Sequence, residues 1–299
     1  MDLSIATTTT SAAARDARRW RPKLTFLRIL LANRSGRLGF SILLPVIIIA
    51  VLSAFVHLLP APLDTNVGIS LAPPSLSHPF GADKLGRDVL SRTLAGARIS
   101  LVVGFSVAAL AAFGGMAIGT ISGFMGKGVD RLIMAVVDVF LSFPSLLLAI
   151  GLVAILGAGV MPVIIAITIS DLPRFIRLQR SLVLSLKSRA FIDAARIVSA
   201  PKRWLMFRHV LPNTIAQLLV AASLTAAYAI LIEASLSFLG LGITPPDPSL
   251  GNIIADGQNY LQQAWWISTL PGVILLCITF SLHQLSDGIR IALDPKARR

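Results

Sequence analysis

Three carboxylates stand inside or beside long apolar runs: Asp138, Asp171 and Glu233. An ionisable group at such a position is costly to bury in lipid and is commonly functional. Each can line a polar path, pass a proton or hydrogen-bond a neighbouring helix. Asp171 is followed closely by Pro173 and Arg174, and Glu233 lies late in its run. None has a histidine or lysine beside it in sequence, which makes a three-acid proton relay a weak reading. For Asp138 and Glu233 a path-lining role and a packing role both stand open.

Other chemistry is poorly supplied. His57, Asp64, His78 and Asp83 are the residues a metal site would draw on, and their spacing matches no ligand motif. The run Gly123-Phe124-Met125-Gly126-Lys127-Gly128 is glycine-rich, but a phosphate loop needs Gly-x-x-x-x-Gly-Lys-Ser/Thr. Both the spacing and the hydroxyl residue are missing. The sequence therefore predicts a chain that is not an enzyme and holds no metal or cofactor of its own. If ATP drives its work, the nucleotide binds another chain.

A docking surface is better supported. Phe191-Ile192-Asp193-Ala194-Ala195-Arg196-Ile197-Val198-Ser199-Ala200-Pro201 is a polar, basic interruption between apolar runs, and Leu211-Pro212 leads back into apolar sequence. Two small residues after an acid let another protein approach the backbone, and Pro201 suits the first turn of a second helix.

The elements that must position these residues follow from composition. Of 299 residues 55% are hydrophobic and 14% charged, where a soluble domain carries about 25% charged residues. The mean hydropathy is +0.79. These values predict an all-α, polytopic membrane protein. Six runs approach the roughly 20 residues that a bilayer requires: 39–59, 99–122, 131–156, 160–176, 213–238 and 267–286. Pro144 is expected to bend the third, and Asp171 and Pro173 to interrupt the fourth. The runs are continuous rather than alternating, which excludes a barrel.

With the N-terminus inside, 23 of the 27 Lys and Arg residues fall in inner segments. Only Lys84, Arg87, Arg92 and Arg98 fall outside. The net charge of +13 is then a topology signal and predicts no nucleic-acid partner, and both termini are placed in the cytoplasm. The single cysteine, Cys277, allows no disulfide within the chain. Residues 1–38 read as a tail followed by an interfacial amphipathic helix around Trp20–Leu31, in contact with membrane lipid.

Gly115, Gly119 and Gly123 are four residues apart and share one helix face, where another helix can approach closely. That face serves either a mobile contact or ordinary bundle packing. The first outer loop is stiffened by Pro60, Pro62, Pro73, Pro74 and Pro79. Its second part, 81–92, suggests a short surface helix on which Asp88 and Arg92 pair. Asp83, Arg87, Asp88 and Arg92 there could meet a substrate-delivery protein.

The polar segment resembles the EAA loop of bacterial ABC importer permeases: Asp193-Ala194-Ala195, then Ser199, then Val210-Leu211-Pro212. Asp stands where the pattern has Glu, and Ser where it has Gly. Other stretches resemble the second permease subunit of dipeptide, oligopeptide and nickel importers. They are 86–92 with 96–100, 137–144, Glu233 to Gly242 followed by Pro245-Pro246 and 249–252, and Asp287-Gly288-Ile289-Arg290 with Leu293-Asp294-Pro295.

The resemblance implies a type I ABC importer permease fold in the bacterial inner membrane. Its parts are a cytoplasmic tail 1–38, a first span and loop 39–98, a five-helix core 99–290 with a coupling loop 187–212, and a tail 291–299. It implies a homologous permease subunit as heterodimer partner, two ATP-binding subunits carrying ATP and Mg, and an extracytoplasmic binding protein. Asp193, Ala194, Ala195, Arg196, Ser199, Leu211 and Pro212 would form the ATPase-coupling interface. Di- or oligopeptides are the expected substrates, while related permeases carry nickel chelates, glutathione, and opine-like or sugar compounds. An ion-coupled secondary carrier and a membrane scaffold are the competing readings.

Overall fold

The structure, a computed structural model, describes residues 28–55, 61, 63–65, 69–190, 192–193 and 201–293. Ala194, Ala195, Arg196 and Ser199 of the expected coupling interface lie outside them. So do His57, most of the expected interfacial helix and the residues after 293. Among the described residues eight helices carry the fold: α1 Arg34–Phe55, α2 Val89–Met125, α3 Lys127–Leu141, α4 Ser145–Leu156, α5 Val160–Lys187, α6 Leu211–Phe238, α7 Leu250–Gln258 and α8 Trp266–Leu293. A short turn, Lys202–Leu205, and a π-helical turn, Met206–Val210, run directly into α6. Among the described residues the only β pairing is one isolated bridge between Ala82 and Asp88.

Helices α2 and α6 form a shared spine. On one side Val103 and Val107 of α2 and Ala229, Ile232 and Leu236 of α6 pack with α4 and α5. On the other, Ala97, Leu101, Ala226 and Ile230 pack with Leu43 of α1 and Ile278 and Leu282 of α8. Two ends can be told apart. The loop end carries residues 69–88 and α7. The basic end carries Lys127, Lys187 and the 188–210 connection.

Local chemistry fixes where the helices stop. Asp88 caps α2, its carboxylate accepting from the Ser91 amide at 2.7 Å. Gly126, at φ 110°, ends the same helix in a conformation that a side chain would strain. Helix α7 opens with a reciprocal capping box between Ser249 and Asn252. The break at 142–144 turns α3 and α4 through 90°. It falls at Pro144, whose ring disfavours helical geometry in the residue before it.

Two expectations change. The second apolar helix begins at Val89, ten residues before the hydrophobic run, so 81–92 is a turn leading into a long helix and not a separate surface helix. Helix α5 passes through Asp171 and Pro173 without interruption. Among the described residues four helices are long and apolar enough to cross a membrane, and the bent α3–α4 pair makes a fifth. Asp171, Arg174, Arg177 and Arg180 dilute the apolar character of α5, so these helices do not add up to six such spans.

Candidate functional site

Polar groups are gathered at three levels of the bundle. At the loop end the centre is Asp83. Its Oδ2 accepts from Arg87 Nε and Arg92 Nη1, both at 2.6 Å. Its Oδ1 accepts from the amides of Leu85 at 2.8 Å and Arg87 at 3.0 Å. Arg92 is 1% exposed, and Asp256 of α7 stands 3.6 Å from its Nη2. The expected pair between Asp88 and Arg92 does not form. Asp88 instead caps α2 and contacts His78 Nδ1 at 3.1 Å, which leaves Arg92 to turn back onto Asp83. Asp83, Arg87, Asp88 and Arg92 are all buried in this network, so they hold the loop's shape from within and do not present themselves to a docking protein.

The second level surrounds Glu233, which is completely buried in α6. Ser100 Oγ of α2 donates to its Oε2 at 2.7 Å, and Ser237 Oγ donates to its Oε1 at 2.9 Å. Ser237 Oγ in turn accepts from the Ile243 amide at 3.0 Å. Beyond it, Asn252 Nδ2 donates to the carbonyls of Ile243 and Asp247. The carboxylate therefore joins α2 and α6 to the turn that leads into α7. Glu233→Gln keeps an acceptor and the shape, and should lower thermal stability only slightly. Glu233→Leu strands two hydroxyls and should cost about 2 kcal/mol. Thermal unfolding of the purified variants checks both. Uptake abolished in Glu233→Gln at an unchanged Tm would mean that the carboxylate does more than pack.

The third level runs along α5 towards the basic end. Arg177 pairs with Asp138, and both side chains are more than half exposed. Arg180 Nη2 donates to Asp130 Oδ2 at 2.6 Å, and Ser122 Oγ donates to Asp130 Oδ1 at 2.6 Å. Lys187 Nζ reaches the Gly123 carbonyl at 2.9 Å. The fully buried Gln179 donates to Thr120 and Thr214, linking α5 to α2 and α6. These bonds clamp α3 and the end of α2 onto α5. The sequence did carry a signal for them: Arg174, Arg177 and Arg180 recur every three residues, and Asp130 and Asp138 stand eight apart. Its partner helix could not be read without the fold.

The glycine stripe meets the same helix. A Cβ built on Gly115 would lie 2.2 Å from Cβ of Phe175, and one on Gly119 would lie 2.6 Å from the Ile176 carbonyl oxygen. Gly123 faces Val183. Backbone therefore packs on backbone between α2 and α5, the close approach that small residues permit between membrane helices.

The described parts of the polar connection are anchored to the bundle on both flanks. Ile192, Leu205 and Val210 are buried against Phe124 and Val183, while Asp193 points outward and is exposed. The Pro201 carbonyl accepts from the Leu205 amide at 3.1 Å, so this proline opens the short turn. Leu211 begins α6 and Pro212 lies in its first turn, continuous with the π-helical turn before it, where the Leu211 amide donates to the Met206 carbonyl. Among the described residues no group of three or more His, Cys, Asp or Glu could hold a metal ion.

Residues 115–299 match the family described as binding-protein-dependent transport system inner membrane component. The chain is 41% identical over 277 residues to a putative peptide transport system permease protein of Brucella abortus, covering 93% of each chain. It is 43% identical over 219 residues to a di/tripeptide transport system permease protein of Pseudomonas aeruginosa, covering 73% of this chain and 72% of that one. A glutathione transport system permease protein of Escherichia coli is 41% identical over 229 residues, covering 75% and 74%.

The chain belongs to the ABC importer permease family. As a permease subunit it is a multi-pass membrane protein, as its apolar helices require. The matched region begins inside the glycine stripe and runs on through the polar connection and Glu233. Asp83, Arg87 and Arg92 lie ahead of it, and Asp256 lies within it.

Proposed function

We propose that the permease carries di- or oligopeptides across the bacterial inner membrane by alternating access, driven by ATP that separate subunits hydrolyse. The observation that carries this reading is the anchored connection between α5 and α6. Ile192 on one flank and Leu205 and Val210 on the other are packed into the bundle, so force applied between them passes directly into two long helices. The clamps from Asp130 to Arg180 and from Lys187 to the Gly123 carbonyl spread that force to α2 and α3. A partner pushing on Asp193 to Arg196 would move the bundle as a body, the usual form of alternating access.

Within this reading the chain crosses the membrane six times, α5 included, and both termini and the basic end face the cytoplasm. One of two ATP-binding subunits docks at 187–212, a homologous permease subunit completes the path, and an extracytoplasmic binding protein delivers substrate at the loop end. The peptide assignment is supported by the names of the Brucella and Pseudomonas relatives. The glutathione permease widens the substrate class to other peptide-like solutes, a tripeptide thiol among them.

Ala194→Arg places a long cation in the docking segment. Peptide uptake by cells carrying the whole importer should fall to roughly a tenth or less, a loss comparable to that of an interface hot spot. The variant permease should still reach the membrane. Undiminished uptake would sink the docking assignment. Uptake that persists without ATP and collapses with the ion gradient would favour a secondary carrier instead.

A further inference from the structure

We infer that Arg174, Ser145 and Tyr228 form a carboxylate-reading site within the helix bundle, which receives the free C-terminus of a peptide in transit. The inference rests on the peptide-importer reading above and adds to it a place and a chemical group. Arg174 lies about 21 Å along α5 from its loop-end start, and Tyr228 about 15 Å along α6 from its loop-end terminus. Measured from those ends, both fall within a hydrocarbon layer about 30 Å thick, Arg174 past its middle towards the basic end. The Arg174 side chain is 54% exposed there. A guanidinium at that depth does not face lipid, so its open side meets water or a polar cargo.

The cation is held loosely. Asp171 offers it one oxygen at 3.2 Å, longer than an ordinary charge-assisted bond, while the other oxygen, Oδ2, is buried without a hydrogen-bond partner. A second guanidinium nitrogen lies 3.4 Å from Ser145 Oγ. The group stands 5.6 Å from the Tyr228 ring centre, and Tyr228 OH and Ser145 Oγ are 2.8 Å apart. One turn further along α5, Arg177 is neutralised by Asp138, so it does not draw an anion away.

Ser145 is also the first residue of α4, directly after the 90° break, and no side chain caps that helix end. Its first amides add positive potential to the same spot. A planar cation with uncommitted donors, two hydroxyls and a helix start together suit a planar anion with two oxygens. The α-carboxylate is the group of that kind that every linear, unmodified peptide carries.

The test compares uptake of dialanine with that of dialanine amide, in cells carrying the whole importer and normalised to assembled complex. The binding protein is the same in every strain, so a change in the ratio of the two rates between strains reports the permease alone. Arg174→Gln should lower the dialanine-to-amide ratio roughly tenfold, as expected for losing a hydrogen-bonded charge. Arg174→Lys should restore much of it. Tyr228→Phe, which removes only a hydroxyl, should shift the ratio in the same direction by about threefold. Equal loss of both substrates in Arg174→Gln, or no change in either, would overturn the site. If Arg174→Gln fails to assemble, an unchanged ratio in Tyr228→Phe overturns it. A wild-type importer that takes up neither peptide refutes the peptide reading itself, and the site with it.

Discussion

Asp83→Ala is expected to open the loop end of the permease. Among the described residues, the substitution removes the only carboxylate in hydrogen-bond contact with Arg92, which is almost fully buried, and with Arg87 beside it. Asp256 remains, but its Oδ2 lies 3.6 Å from Arg92 and 3.7 Å from Arg87, beyond ordinary hydrogen-bond length. Leaving a buried charge uncompensated costs about 3–5 kcal/mol, far more than any exposed pair contributes. The amides of Leu85 and Arg87 lose their acceptor as well. The variant should show a lowered Tm, and trypsin should cut at Lys84 and Arg87 much faster than in the wild type. Asp256→Ala, which removes longer and more exposed contacts, should change either measure little. Equal trypsin resistance in Asp83→Ala and the wild type would show that the arginines find another counter-charge.

The second large effect is expected at Gly115. Its missing Cβ would fall 2.2 Å from Phe175 Cβ and 2.9 Å from the Phe175 carbonyl carbon. Neither neighbour can rotate away, since both belong to or adjoin the α5 backbone. Gly115→Ala must therefore separate two helices. Overpacking of this kind costs about 1–3 kcal/mol, and a contact with backbone belongs at the upper end. Gly114→Ala is the natural comparison. Its nearest neighbour is the Cδ1 tip of Leu172, which can turn aside. A Tm drop in the first variant and not the second would place the effect in the helix contact. Equal drops would assign it to loss of glycine itself. Displacing α5 would also pull Arg180 from Asp130 and Lys187 from the Gly123 carbonyl, so assembly of the importer should fall with stability.

These two sites differ in how far the sequence revealed them. The spacing of Gly115, Gly119 and Gly123 announces a close helix contact, because any helix places every fourth residue on one face. Which helix arrives is a tertiary fact, and Phe175 to Val183 carry no signal that points to it. At the loop end the reverse held. Hydropathy placed the start of the second apolar helix at Ile99, because Arg92 and Arg98 look like solvent-facing residues. Arg92 can lie within a buried helix because Asp83, nine positions earlier, folds back to neutralise it.

A rule based on helical spacing pairs Asp88 with Arg92, yet Asp88 is taken by the helix end, where free amides compete for its carboxylate. Glu233 is a similar case. Its apolar surroundings suggested either a path or packing, and only the fold shows that hydroxyls from Ser100 and Ser237 satisfy it. Of the expected coupling residues, Asp193, Leu211 and Pro212 are described and the central four lie outside the described residues.

Helix α2 is 37 residues long, about 55 Å of unbroken rod. The close approach of its glycine stripe to α5 begins at Gly115, which is not at its middle. About 39 Å of helix lies on the loop-end side of that point and about 15 Å on the other. A rod tilting about such a fulcrum is a lever of unequal arms. A displacement of 1 Å at the short arm, as an assumed unit, becomes about 2.6 Å at the long arm, in the opposite sense. The short arm ends where Ser122 and Gly123 engage Asp130 and Lys187, and the long arm ends at the Asp88 cap. The Asp88 cap is therefore where a small tilt of this rod becomes its largest movement.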